Sequence, residues 1–435
     1  MLPLPILMPP SNRRPLWWIP SLYLAEGLPS AVVTGMVGVA LLDFGHTPAE
    51  TAVYTSVLSL PWAFKPFWAP VVQRLGTRRG WVLVMQALLA VLIGALAASL
   101  PNKSWLPLTL GLLTIVGFTS ATHDIAADGF YMLALDEHRQ AEWTGLRNTF
   151  FRIAVLIGNG GLVWLAGQYE KAHGVAAGWT LAFALAAAMM GLLAVYDFLA
   201  IPRLAAEIPS PPPGAVATSG EFVRVWAGFV RKAGFGRMLA FILLYRFAEG
   251  QAQGANRAFF LAHPRAGGLG LGTDEVGRLY GTLCVLALMA GGILGGLAIA
   301  RTGLRRQLWP MALAMNLPNA LYIWLACAQP ASRVLIGGAI FIEQFGYGFG
   351  FAAFMVYLLY VARGPLATAH YAICSALMAV GLALSGMVAA AVLEYTETLP
   401  GGGYREFFSW VLLCTLVSYA VLWRLPLAGD FGRKR

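Results

Sequence analysis

Asp124 and Asp128 stand one helical turn apart in the run Thr122-His123-Asp124-Ile125-Ala126-Ala127-Asp128-Gly129-Phe130-Tyr131. On a helix their carboxylates share a face. Carboxylates this close in a low dielectric resist joint ionisation, so the pair can hold a proton unless an arginine intervenes. Arg147 and Arg152, on the next apolar segment, are placed to intervene. They lie five positions apart. That is roughly 140° around a helix, so only one should face the aspartates. His123 is either a proton relay or a hydrogen-bonded core group.

A second set of polar residues sits in other apolar segments. Glu26 precedes Gly27 and Pro29, and Glu249 precedes Gly250 with Arg246 three positions before it. Glycine and proline loosen a helix, which a membrane tolerates where backbone lines a cavity. Gln253, Asn256 and Arg257 extend a polar stripe from Glu249, pointing to a water-filled path. Glu343, Tyr347, Phe351 and Phe354 follow one another at helical spacing and mix a carboxylate with aromatic surface, which suits a sugar ring or an aromatic solute. Counting Lys65, five acids and five bases stand out within the apolar runs: Glu26, Asp124, Asp128, Glu249, Glu343, Lys65, Arg147, Arg152, Arg246 and Arg257. Charge inside a bilayer is costly, so pairing across a bundle interior is expected. Ion pairs that only stiffen the bundle are the plainer alternative.

The elements that carry these residues are membrane spans. Of 435 residues, 58% are hydrophobic and 11% charged, with a mean hydropathy of +0.68. A soluble domain carries about 25% charged residues. Apolar runs long enough to cross a bilayer are read at 16–42, 50–72, 80–100, 105–133, 141–166, 176–199, 237–262, 272–299, 306–328, 332–360, 367–393 and 404–425. Each must satisfy its own backbone hydrogen bonds as a helix. The alternation of a transmembrane barrel is missing. Arg13 and Arg14 precede the first run, which continues as a full span and reads as an uncleaved helix. The net charge of +10 is assigned to loops and not to nucleic-acid binding. Cys284, Cys327, Cys374 and Cys414 have no metal-ligand spacing. No phosphate-binding loop, His-Glu-x-x-His or Gly-x-Ser-x-Gly motif occurs. An enzyme, a metal site and a cofactor are therefore not expected.

Basic residues set the orientation. With the N-terminus inside, cytoplasmic segments hold Arg13, Arg14, Arg74, Arg78, Arg79, Arg139, Arg203, the stretch Arg224 to Arg237, Arg301, Arg305, Arg306, Arg363, Arg424, Arg433, Lys434 and Arg435. The other side holds Lys103, Lys171, Arg265, Arg278, Arg333 and Arg405. Both termini are thus expected in the cytoplasm. Residues 201–236, with Pro209, Pro211, Pro212 and Pro213, read as a semi-rigid cytoplasmic linker. Around Glu221–Arg231 an amphipathic surface helix is expected. The linker separates a six-helix half at 1–200 from another at 237–435. The halves resemble each other: Tyr23-Leu24-Ala25-Glu26-Gly27 against Arg246-Phe247-Ala248-Glu249-Gly250, and Arg74-Leu75-Gly76-Thr77-Arg78-Arg79 against Arg301-Thr302-Gly303-Leu304-Arg305-Arg306. The two arginine loops fix topology and are placed to gate. The predicted fold is an all-α membrane protein of the major-facilitator kind, with about twelve helices in two pseudo-symmetric halves and a solute site near midplane.

Several stretches resemble the AmpG-type muropeptide permeases of that superfamily, a branch that lies alongside acetyl-CoA transporters and pyochelin-type siderophore importers. Pro61-Trp62-Ala63-Phe64-Lys65-Pro66-Phe67-Trp68-Ala69-Pro70, with Arg74 and Gly80-Trp81, is similar to their second span and its loop. Asp124-Ile125-Ala126-Ala127-Asp128 resembles their Gln-Asp-Ile-Ala-x-Asp signature, with His123 in place of glutamine. Ala25-Glu26-Gly27-Leu28-Pro29 and Arg152-Ile153 resemble motifs of spans one and five. The chain departs from the pattern twice: Gln73 stands before Arg74 where an acid is usual, and Gly129-Phe130-Tyr131 replaces Ala-Tyr-Arg.

The resemblance implies a secondary transporter of the bacterial inner membrane, driven by the proton-motive force, whose cargo in the family is an anhydromuropeptide recycled from the cell wall. The expected partners are a small-molecule substrate, protons and the lipid bilayer, with the chain acting as a monomer. Import of a siderophore or other anionic metabolite is the first alternative. A non-transporting membrane signal transducer is the second, and it would call for an extended soluble domain that the sequence does not display.

Overall fold

A computed structural model of the chain describes residues 15–100, 105–204, 219–277, 279, 283–399, 403–423, 425, 427 and 431–434. Arg13, Arg14, Lys103, Pro209, Pro211, Pro212, Pro213, Arg278, Arg424 and Arg435 lie outside them. The described residues form helices and turns, with no strand among them. Nine helices among them are long and apolar enough to cross a membrane: Pro15–Asp43, Arg78–Ser99, Leu106–Ala134, Glu137–His173, Val175–Ala200, Cys284–Thr302, Leu304–Ala328, Arg333–Ala362 and Ala367–Glu397. They correspond to expected spans one, three to six and eight to eleven.

The other three spans are present as shorter pieces, each for a local reason. Span two is cut into Pro48–Leu58, Leu60–Phe64, the 3-10 turn Lys65–Phe67 and Ala69–Arg74. Pro61, Pro66 and Pro70 lack the N–H that the helical ladder needs. Its start is fixed by a capping box, in which the Glu50 N–H donates to Thr47 Oγ1 at 3.2 Å and the Thr47 N–H to Glu50 Oε2 at 2.9 Å. Span seven is two helices, Phe235–Leu244 and Phe247–Leu261, which meet at Tyr245-Arg246. No proline causes that break. Arg246 sits at φ −99°, ψ 15°, the sparsely allowed region where site residues recur. Span twelve, Tyr404–Ala420, is a single 17-residue helix.

Span one passes through Pro29 and widens into a π-helical turn at Val32–Met36, and span five does the same at Ile157–Leu162. The two wide turns pack together: a Cβ on Gly35 would strike the Asn159 side chain, and one on Gly158 would meet Ala31. Such turns mark irregular, often functional, stretches of helix.

The chain forms two compact units. One comprises Met1–Leu135, Arg147–Trp226 and Gly364–Ile373; the other comprises Asp136–Leu146, Ala227–Arg363 and Cys374–Arg435. The first unit is built on Leu28, Val32, Ile93, Leu96, Trp179 and Phe183. Its helix ends are tied by charge: Arg79 donates to the carbonyls of Ile201 (3.0 Å) and Phe198 (2.6 Å), which satisfies the C-terminal end of span six. The second unit centres on Phe259, Phe260, Tyr322, Phe407 and Phe408. There span eight packs on span ten through glycines. A Cβ on Gly291 would hit the Phe345 carbonyl, and one on Gly348 the Leu288 carbonyl, so the backbones approach as small residues allow. Leu192, Val195 and Leu199 on span six are mostly exposed, an apolar face that suits lipid tails and not water.

Within the expected linker, Ser219–Val230 is helical. Phe222 and Trp226 pack on Phe67, while Val223 is exposed.

Candidate functional site

The first unit sets the two acids of span four against buried cations, Asp128 against Arg147 and Asp124 against Lys65. Arg147 Nη2 lies 3.0 Å from Asp128 Oδ1 and donates to the Tyr371 hydroxyl at 2.8 Å. Tyr23 OH donates to the same Asp128 oxygen at 3.4 Å. The guanidinium lies over three rings, at 4.7 Å from the centroid of Tyr23, 4.9 Å from Tyr131 and 5.6 Å from Tyr371. A desolvated cation over a ring gains on the order of 2 kcal/mol. Three rings and a carboxylate thus surround the buried Arg147 guanidinium. One turn away, Asp124 Oδ2 is 3.9 Å from Lys65 Nζ. Glu26 is buried nearby, within electrostatic reach of both aspartates, Arg147 and Lys65.

The broken helices explain how these groups meet. The 3-10 turn of span two starts at Lys65 and lies against span four. Gly27 lets span one touch the span-five backbone at Phe151, and Gly129 lets span four touch Thr368. A Cβ on Gly129 would come within 2.7 Å of the Thr368 side chain. Both departures from the family pattern thus have local causes. Tyr131 lies under the Arg147 guanidinium, where an arginine would oppose it with a like charge. The Gln73 amide donates to the Pro365 carbonyl at 3.0 Å and accepts from the Ala369 N–H at 2.9 Å. A carboxylate could not make the first bond.

The second unit has its own arginine cluster at the break in span seven. Arg246 pairs with Glu249 at 3.1 Å, donates to the Tyr347 hydroxyl at 2.9 Å and lies 4.8 Å from the centroid of Phe351. Glu249 is in the first turn of the half-helix, where the dipole favours an anion. Tyr347 follows Glu249 at the same chain distance as Asp124 follows Glu26. The repeated halves therefore put acid and aromatic groups at matching positions.

Other expected site residues are placed elsewhere. Glu343 accepts from Tyr322 OH and the Gln344 amide, both at 2.8 Å. Asn256 donates to that tyrosine at 3.0 Å, so Glu343 and Asn256 share one buried network. Phe354 stacks on Tyr245. Gln253 is half-buried and Arg257 exposed. Arg152 is half-buried, and Arg147 is the arginine that bonds Asp128. In the arginine loops, Gly76 and Gly303 take φ of 65° and 88°, a left-handed turn that glycine permits. Arg74 and Arg78 are half-buried beside it, whereas Arg301, Arg305 and Arg306 are exposed.

One buried acid escaped the sequence reading. Asp197 on span six is wholly buried and accepts from Ser21 Oγ and, at 2.7 Å, from Gln86 Nε2. The same Gln86 nitrogen is 3.3 Å from His123 Nε2, so His123 faces this network. Ser21, Gln86 and His123 each interrupt an apolar run, a signal that was visible in the sequence.

The model of the Major Facilitator Superfamily matches residues 21–390. The chain belongs to the Major Facilitator Superfamily. It is a multi-pass membrane transporter, and as a major-facilitator protein it takes small-molecule substrates. An anhydromuropeptide permease of Escherichia coli strain K12 is 27% identical over 382 residues, 85% of this chain and 72% of that one. One of the AmpG transporters of Rickettsia conorii is 22% identical over 416 residues, 92% of this chain and 93% of that one. The resemblance to AmpG-type permeases therefore extends well beyond the N-terminal motifs. Two crystal structures of FucP share the superfamily fold. The E. coli fucose:proton symporter gives a TM-score of 0.67 at 15% identity, and the outward conformation gives 0.64 at 14%. Each covers 93% of this chain and 96% of that one. The all-helical major-facilitator fold is thus borne out.

Proposed function

We propose that this transporter is a proton-coupled importer of an anhydromuropeptide or a similar medium-sized solute across the bacterial inner membrane, with both termini and residues 201–236 in the cytoplasm. The observation that carries the proposal is the buried Asp128–Arg147 pair enclosed by Tyr23, Tyr131 and Tyr371. A carboxylate bonded to a buried cation has two states of different structure. Ionised, it holds Arg147. Protonated, it loses most of that attraction and frees the guanidinium to change partner. Asp124 with Lys65, one turn away, extends the same chemistry. Such a two-state element is what a proton gradient can bias. The cargo class comes from the likeness to the E. coli permease. It fits the aromatic and cationic surface at Arg246, Tyr347 and Phe351, since a sugar ring packs on aromatic faces and an acidic peptide is drawn to arginine.

Uptake of labelled anhydromuropeptide by cells that lack their own permease tests this. Accumulation should depend on the chain and collapse with an uncoupler. If unlabelled muropeptide does not compete and a ferric siderophore or another anion does, the cargo assignment is wrong while proton coupling stands.

A further inference from the structure

The second unit contains a cavity of about 460 Å³ that belongs to none of the groups above. Three segments build it. Lys232 lies in the short connection between the helices Ser219–Val230 and Phe235–Leu244, and Met238 lies on the latter. Tyr357 and Tyr360 come from the last turns of span ten, Arg363 directly follows it, and Leu427 belongs to the C-terminal tail. We propose that this cavity binds the phosphate group of an anionic ligand, with the ligand's apolar part against Met238 and Leu427.

Charge is the first argument. Lys232 Nζ donates one hydrogen bond, to the Arg363 carbonyl at 3.2 Å, and an ammonium has three protons to give. Arg363 pairs with Glu137 at 3.1 Å, with both side chains largely exposed. Solvent-exposed pairs of that kind hold their partners weakly, so a multiply charged oxyanion can compete for the guanidinium. Among the described residues, Lys232 and Arg363 set two cations against the single carboxylate of Glu137. The Lys232 amine is held below the ordinary lysine range, first by burial and then by the neighbouring Arg363 charge. A bound anion would offset the second effect. Shape is the next argument. Arg363 is fixed by the Tyr360 ring at 4.1 Å and the Phe431 ring at 5.0 Å, so its position is set before any ligand arrives. A cavity of this volume falls within the range of about 300–1,000 Å³ for small-molecule sites. It exceeds what bare phosphate needs, and its wall is mostly apolar. A phosphate ester with an apolar or glycerol-like body satisfies both halves. The ester can come from a membrane phospholipid headgroup or from a soluble metabolite.

The full chain, purified in detergent, distinguishes the sources. Native mass spectrometry would compare retention of phosphatidylglycerol with phosphatidylcholine, and thermal-shift titration would use glycerol phosphate. Phosphatidylglycerol retained selectively, and not displaced by glycerol phosphate, identifies a lipid. A saturable shift with glycerol phosphate identifies a soluble ester. In either case Lys232→Gln and Arg363→Gln should weaken binding about tenfold, as loss of one charge-assisted contact does, and Lys232→Arg should restore it. Two results would overturn the proposal: neither ligand preferred over phosphatidylcholine, or both glutamine variants binding as the parent does.

Discussion

Asp128 and Arg147 show how a short motif acquires meaning from residues far along the chain. The sequence places the two aspartates on one face and leaves open which arginine meets them; Arg147 does. Its three aromatic neighbours come from spans one and four and from the start of span eleven. No spacing rule links Tyr23, Tyr131 and Tyr371, so the enclosure was not legible. Asp197 was missed for a similar reason. It sits near the end of its span, where an acid reads as interfacial, yet Ser21 and Gln86 bury it. If the Asp128–Arg147 pair is intact in the folded state, removing one partner strands the other. Arg147→Gln alone should therefore cut the yield of folded protein, since breaking a buried pair costs about 3–5 kcal/mol. Arg147→Gln with Asp128→Asn should recover much of that yield in detergent size-exclusion profiles. Equal yields for the single and double variants would mean that the pair carries little energy. Tyr131→Arg should also reduce folded yield, because it sets a second cation against Arg147.

At the scale of elements, hydrophobic runs locate the spans but not their interruptions. Prolines announce the pieces of span two. Nothing of the kind announces the break at Arg246, where the guanidinium pairs with Glu249 three residues on and reaches Tyr347 on span ten. Glycine is where sequence and packing connect most directly. Gly129→Ala should lower the melting temperature by an amount equivalent to about 1–3 kcal/mol, the usual cost of overpacking, because the new methyl meets Thr368. Adding Thr368→Ala should restore most of the loss. A Gly129→Ala protein as stable as the parent would show that spans four and eleven do not approach so closely. Gln73→Glu should weaken the same junction, since its carboxylate would face the Pro365 carbonyl in place of an amide donor.

At the scale of the whole molecule, the internal repeat and the uneven distribution of basic residues were the most informative features of the sequence. The repeat foretold a major-facilitator fold, which the family match and the FucP structures bear out. Orientation rests on the arginines. In a cysteine-free background, single cysteines at positions 203 and 434 should react with a membrane-impermeant thiol reagent in inverted vesicles and not in intact cells; labelling in intact cells would reverse the assignment. The central claim is that protonation of Asp128 drives transport. Proteoliposomes carrying the parent chain or Asp128→Asn, loaded and assayed with labelled anhydromuropeptide, test it most directly. The parent should accumulate cargo under an inward proton gradient and exchange it at equal pH. Asp128→Asn, which resembles the protonated form, should keep the exchange and lose the accumulation. Accumulation by Asp128→Asn with the pH dependence of the parent would contradict the account.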